Sequence, residues 1–191
     1  MCDSQPRRRV ILFWIISLIL LLLVVGWFLL ATAFKSRGAH LNHRTMVDLK
    51  DIQVDIGHYR TEYNAFPAEP TLGNADTVPI KLRGPVLEHL LGSNPRQIKF
   101  VDIGVAKPGG SGLAMEDGMP AWHDRWGTCY FIMLDLKAQN RMPNPAFMAG
   151  AITPRRTLST APKLIPASTL VFSAGPDRDP NTWADNITSW R

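Results

Sequence analysis

Between Val10 and Phe34 the chain runs for 25 positions without a charged side chain, VILFWIISLILLLLVVGWFLLATAF. Coiled as a helix at about 1.5 Å per residue, the run reaches roughly 37 Å, more than a hydrocarbon core of about 30 Å. A transmembrane helix over residues 10–34 is the first expectation. Arg7, Arg8 and Arg9 precede the run, but Lys35, Arg37, Arg44 and Lys50 follow it closely. The bias of positive charge therefore does not orient the helix by itself. Ala31-Thr32-Ala33 imitates the cleavage site of a secretory signal. The apolar run is much longer than the usual signal core of about 7–15 residues, which favours a retained anchor. The simplest arrangement is a short basic cytoplasmic tail, 1–9, followed by the span and an exported C-terminal part.

The remainder of the 191 residues is one domain's worth of sequence. Hydrophobic residues make up 46% and charged residues 19%, the reverse of a disordered composition. A formal net charge of +5, with no Lys/Arg cluster interleaved with aromatics, leaves no footprint of nucleic-acid binding. The two cysteines, Cys2 and Cys129, cannot make a disulfide framework or a C-x-x-C zinc site. In the arrangement above they lie on opposite sides of the membrane, and Cys129 reads as a small buried hydrophobe on a strand.

From Leu41 to Tyr63 the pattern is helical, with Met46, Leu49, Ile52, Ile56, Tyr59 and Tyr63 at spacings of three or four. Residues 35–66 thus read as an amphipathic continuation of the membrane helix, ended by Phe66-Pro67. Residues 67–191 form the globular part. Leu82 to Leu91 predicts a short helix stopped by Gly92, and Ile98 to Ile103 a strand. Lys107 to Gly112 reads as a mobile loop, and Thr128 to Leu136 as the best strand. Pro143 to Pro166 is a proline-punctuated connection in which Arg155-Arg156 is a solvated loop pair. Thr169 to Phe172 is a further strand. The expected class is α+β, a long N-terminal helix packed on a small antiparallel sheet with long loops.

Asp177, Asp179 and Asn181 stand at alternate positions near the end of the chain, with Asp185 and Asn186 following. Calcium takes six to eight oxygens from carboxylates, amides and carbonyls, and such a loop supplies them. Thr182 and Thr188 stand where an EF-hand needs Gly and Glu, so the loop is not an EF-hand. The competing reading is a turn in which Asp and Asn bond their own backbone. His123-Asp124, flanked by Trp122 and Trp126, lacks a nucleophile in a recognisable context and reads as a turn with aromatic anchors. His40, His43, His58 and His89 share no metal spacing. Asn186-Ile187-Thr188 fits a glycosylation sequon, a triplet short enough to arise by chance.

The order of blocks is an apolar helix, an amphipathic continuation, FP, then DRWGTCYFI and finally VFSAGPDRDPNTWADNITSW. This resembles the type II secretion pseudopilins, closest to the G-type major pseudopilin, and type IV pilins more broadly. Asp124, Trp126, Gly127 and Tyr130 match the family's first block. Ser173, Ala174, Gly175, Pro176, Asp177, Asp185, Ile187 and Trp190 match its second. The resemblance implies a pilin-like fold and a calcium loop at 173–190, with Asp177 and Asp185 as side-chain ligands. Asn186 stands in place of a second aspartate, and Asp179 is able to restore the missing charge. Backbone carbonyls, those of Ser173 or Thr182, complete the set. The chain departs from the family at its N-terminus, where it has no Gly before the apolar run and no Glu within it.

The function these features imply is that of a non-enzymatic, membrane-anchored structural component of a type II secretion or type IV pilus-like apparatus. It would be a single-pass protein of the inner membrane with a periplasmic C-terminal domain. Its partners would be other pseudopilins and the membrane, with no nucleic acid and no small-molecule substrate. The alternative is a degenerate pilin-fold anchor that does not assemble and presents its loops as a periplasmic binding module.

Overall fold

A computed structural model describes the backbone of residues 5–190 and the side chains of residues 14–30 and 38–190. The tail 1–4 lies outside the described residues. So do the side chains of Arg7, Arg8 and Arg9, of Lys35 and Arg37, and of both ends of the apolar run. The chain is α+β, and it divides into two units after Leu41.

Helix α1 covers Gln5–Tyr63. In the first unit its described apolar side chains, from Trp14 to Leu30, are exposed all round the helix. Among the described residues no helix is long and apolar enough to cross a membrane. The described part of the run, 14–30, falls short of the roughly 20 residues that a span needs.

In the second unit α1 keeps the expected stripe. Leu49, Ile52, Ile56 and Tyr59 are buried, and Met46 and Tyr63 pack against them. Thr45 is buried on the same face. The helix stops at Tyr63, before Phe66-Pro67, as the proline requires.

The main sheet has four antiparallel strands in the order β1 (Ile80–Lys81), β4 (Phe131–Leu134), β7 (Thr169–Ser173) and β8 (Ile187–Thr188). Central pairing aligns Ile132 with Val171 and Leu134 with Thr169. The alternation of a strand then sends neighbouring side chains to opposite faces. Ile132, Leu134 and Val171 join the core under α1. Met133 and Leu170 pack on the other side against Met142 and Ile165, and Phe172 packs against Ala146 and Trp183. Both faces of the sheet are therefore covered, one by α1 and the other by the connection between β4 and β7.

Two further two-stranded sheets surround this centre. One pairs β2 (Gly112–Glu116) with β3 (Met119–His123); the other pairs β5 (Met142–Pro143) with β6 (Leu164–Ile165). The single small sheet expected from sequence is thus three separate pairings.

Three local expectations need correction. The helix expected from Leu82 begins later, as α2 (Pro85–Leu91), because Pro85 favours the first helical turn. Leu82 instead donates to the Tyr130 carbonyl at 2.7 Å. Gly92 closes α2 with φ +117°, a conformation that glycine adopts readily. Residues 98–103 form no strand. The amides of Phe100 and Val101 both donate to the Leu90 carbonyl, at 2.9 and 3.3 Å, so this segment caps α2 rather than pairing in a sheet. Arg155 and Arg156 open a short helix, α3 (Arg155–Thr160), rather than lying in a loop.

Asp55 on α1 faces the like charge of Asp51 one turn away and is half-buried. Burial first, and then Asp51, push its carboxyl from 3.8 up to about 6. The folded protein therefore holds this proton more tightly than the unfolded chain. Stability from this group falls as pH rises from 3.8 to about 6 and is level above that. Asp55→Asn should raise the melting temperature at about pH 7 and leave it unchanged below about pH 4, as read by thermal denaturation at the two values.

Candidate functional site

The β3–β4 turn brings the first block of the resemblance against the second. Asp124 is fully buried. One of its oxygens, Oδ1, accepts from the amides of Trp126 and Thr128, both at 2.9 Å, which closes the DRWG turn. The other, Oδ2, accepts from the Ser173 hydroxyl at 2.5 Å, across 49 positions of sequence. Ser173 Oγ in turn accepts from the Gly175 amide at 3.0 Å. Burial pushes the Asp124 carboxyl up from its usual range, against the lowering effect of these hydrogen bonds.

Helix α1 joins the same region through Asp48. Its carboxylate takes Arg125 Nε and Nη2, both at 3.1 Å, and the Tyr130 hydroxyl at 3.0 Å. Burial and the Asp48 charge push the Tyr130 phenol strongly upward. Trp122 packs edge-on against Tyr130, with ring centroids 6.1 Å apart. Asp48 and Arg125 were not legible as a pair, because 77 positions separate them.

His123, the last residue of β3, makes no hydrogen bond with Asp124 among the described residues. Its Nε2 lies 3.8 Å from Glu116 Oε2. Since Asp124's oxygens are held by two amides and Ser173, the pair is a turn with aromatic anchors rather than an acid–base couple. Cys129 is buried and its thiol points at the Leu82 carbonyl, 3.4 Å away. Burial raises it to about 12.

The C-terminal loop begins at Gly175, whose φ of +72° and contact with the loop's far side exclude a side chain. A Cβ there would sit 2.5 Å from the Asp185 carbonyl oxygen. Much of the loop is stitched by its own side chains, as in the turn reading. Asp177 Oδ1 accepts from the Asp179 amide, and Asp179 Oδ1 from the Asn181 amide, both at 2.9 Å. The Thr182 hydroxyl lies 3.5 Å from Asp179 Oδ2. Asp185 Oδ2 accepts from the Asp177 amide at 3.3 Å, and Asn186 donates to the Pro180 carbonyl at 2.9 Å. The buried Asn186 amide is thereby withdrawn from the sequon reading.

Three oxygens are left over. Asp185 Oδ1, Asn186 Oδ1 and Thr188 Oγ1 are buried without a hydrogen-bond partner. Their residues line one cleft of about 390 Å³, closed on the other side by Asn42, His43 and Met46 of α1. Unpaired buried oxygens cost free energy unless a partner arrives. Burial pushes the Asp185 carboxyl up, and the Asp177 charge adds to this.

The six residues expected around a metal therefore divide. Asp185 and Asn186 carry free oxygens. Asp177 and Asp179 are tied to backbone amides, and Thr182 leans on Asp179. The Ser173 hydroxyl is committed to Asp124. Among the described residues no three His, Cys, Asp or Glu side chains converge as a metal-holding group. Such a grouping leaves out the amide, hydroxyl and carbonyl oxygens that serve calcium. Thr188 was missed in the sequence, since a lone threonine carries no signal until the strand β8 aims it.

Comparison of the chain with protein-family models, curated proteins and solved structures finds no match.

Replacing Asp124 by Ala should leave one buried and two partly buried donors without an acceptor and cost on the order of 3 kcal/mol. For a domain of this size that lowers the melting temperature by roughly 6–12 °C. Ser173→Ala, which removes only one of these bonds, should cost clearly less in the same thermal melt.

Proposed function

We propose that this chain is a membrane-anchored, pseudopilin-like structural component of a type II secretion or type IV pilus-like apparatus. What carries this is the meeting of three sequence blocks. The helix stripe, the DRWG turn and the SAGPD segment converge through Asp48, Arg125, Tyr130, Asp124 and Ser173. Those are the blocks on which the resemblance rests. Its helix α1 would insert its apolar part in the inner membrane, with the unit after Leu41 in the periplasm. A helix that is apolar all round, as α1 is from Trp14 to Leu30, needs such a surrounding. The work would come from association with pilin-like subunits rather than from chemistry on a substrate.

Calcium fits the C-terminal loop on the chemistry of its donors. Asp185 Oδ1 and Asn186 Oδ1 are hard, buried and unpartnered, with Thr188 Oγ1 beside them in the same cleft. Asp177 and Asp179, with the carbonyls of Ser173 and Thr182, would supply the remaining oxygens. A bound divalent cation would offset the carboxylate charge that burial opposes at Asp185.

The full-length protein in detergent, melted with calcium and with a chelator, tests the metal. At 100 times its dissociation constant a ligand adds about 2.7 kcal/mol, roughly 5–10 °C here. Asp185→Ala should abolish the shift. Co-purification with pilin-like subunits from cells tests the assembly, and a protein that never associates with them would sink it.

A further inference from the structure

On the side of the main sheet away from α1, three segments leave a cleft of about 400 Å³ between them. They are α3, the margin of the β5–β6 pair, and the chain after β8 at Trp190. Pro162 and Pro166 flank β6 and have no amide to donate, so the pairing stops after two residues and the chain opens beside it. Buried Asn144 holds the margin in place. Its Nδ2 donates to the Pro162 carbonyl and its amide to the Lys163 carbonyl, both at 2.9 Å. Trp190 is fixed from behind by Phe172, edge-on with ring centroids 6.3 Å apart.

The wall of this cleft offers donors and no charge to receive them. Pro162, Ile165, Pro166 and the Trp190 indole give it apolar surface. Arg156 is the one charged side chain that lines it, and no carboxylate does. The Arg156 guanidinium makes no ion pair and no hydrogen bond among the described residues, and from Leu136 to Pro176 the chain holds no Asp or Glu to serve it. The Thr157 hydroxyl has no partner among the described residues either. Trp190 Nε1 is buried and finds no acceptor. A buried donor without a partner costs free energy until an acceptor arrives.

We propose that this cleft binds a monocarboxylate with a compact apolar body. The Arg156 fork takes the carboxylate, since a guanidinium and a carboxylate match through two parallel hydrogen bonds. The Thr157 hydroxyl and the Trp190 N–H, which turns to the cleft as the ligand enters, supply further donors. The apolar body lies against Pro162, Ile165 and Pro166. One cation in the wall matches one negative charge, which selects a carboxylate over a dianionic phosphate. The volume is near the low end of ligand cavities of about 300–1,000 Å³, which limits the body to a ring or a short branched chain. A free organic acid and the C-terminal carboxylate of a peptide share this chemistry. The site goes beyond the apparatus reading and uses none of the oxygens of the calcium loop.

The full-length protein in detergent, with isotope-labelled tryptophan indoles, tests this by magnetic resonance with phenylacetate as the probe. One indole N–H signal, assigned by its loss in Trp190→Phe, should move saturably. Phenylacetamide, the same body without the charge, should bind about tenfold or more weakly, and Arg156→Gln should weaken phenylacetate by a similar factor with the melt unchanged. Ala161→Phe fills the cleft, removes no donor, and should abolish the shift. Should Trp190→Phe fold poorly, Arg156→Gln, at an exposed position, still decides by calorimetry. N-acetylated glycyl-phenylalanine separates the sources. Tighter binding than phenylacetate assigns a peptide C-terminus, and weaker binding a free acid. No saturable shift, an amide that binds as tightly as the acid, or binding that Arg156→Gln leaves intact would overturn the site. So would inorganic phosphate that binds as tightly as phenylacetate, since the apolar wall would then contribute nothing. Partition into detergent favours the amide and ignores Arg156, so it cannot imitate the expected result. The calcium melt and the co-purification read other residues, so the two readings fail separately.

Discussion

One buried carboxylate, that of Asp124, ties together the parts of this fold that are farthest apart in sequence. It closes the turn that feeds β4 and, through Ser173, fixes the end of β7 and the start of the C-terminal loop. Among the described residues it makes no ion pair, and hydrogen bonds, with the nearby His123 adding a smaller favourable charge, hold it. Burial disfavours its charge while three donors favour it. This balance explains why the surrounding geometry is so constrained. Gly127 and Gly175, the glycines at the two ends of this tie, both have positive φ and both face close backbone on their empty side.

The parts of the fold that could be read from sequence are those set by local periodicity. The stripe of α1 from Met46 to Tyr63 was legible because burial on one face repeats every three or four residues. Strands β4 and β7 were legible because their centres are continuously apolar, being covered on both sides. Residues 98–103 have the composition of a strand, but their amides found the free carbonyl at the end of α2 before any neighbouring strand. Helix α3 has no apolar face, and none of its residues is buried, so no pattern marks it. Strand β8 is two residues long, too short for any period to register.

The candidate site shows the same division. That the C-terminal loop is rich in oxygen ligands is plain in the sequence. Which oxygens remain free is a tertiary property. Asp177 and Asp179 sit at the spacing that first suggests a cation, yet local amides occupy them. The unpartnered atoms belong to Asp185, Asn186 and Thr188, where β8 and α1 approach one another. Alternate spacing favours Asx-type self-bonding as readily as metal binding, and the backbone amide is always the nearer partner. Free ligands are therefore to be found where the chain has stopped turning, at the loop's exit into a strand.

Charge follows the layering of the fold. The acidic side chains of α1 that face inward or sideways are paired, Asp48 with Arg125 and Glu62 with Arg96. Asp51, exposed, and Asp55, half-buried, make no ion pair among the described residues. After the buried Asp135, the charged side chains of the β4–β7 connection are all basic, and among the described residues its one ion pair uses Lys137 at its margin. Two of the ion pairs among the described residues tie α1 to the rest of the domain, and the others join segments that follow it. Screening and side-chain entropy make isolated surface charges weak.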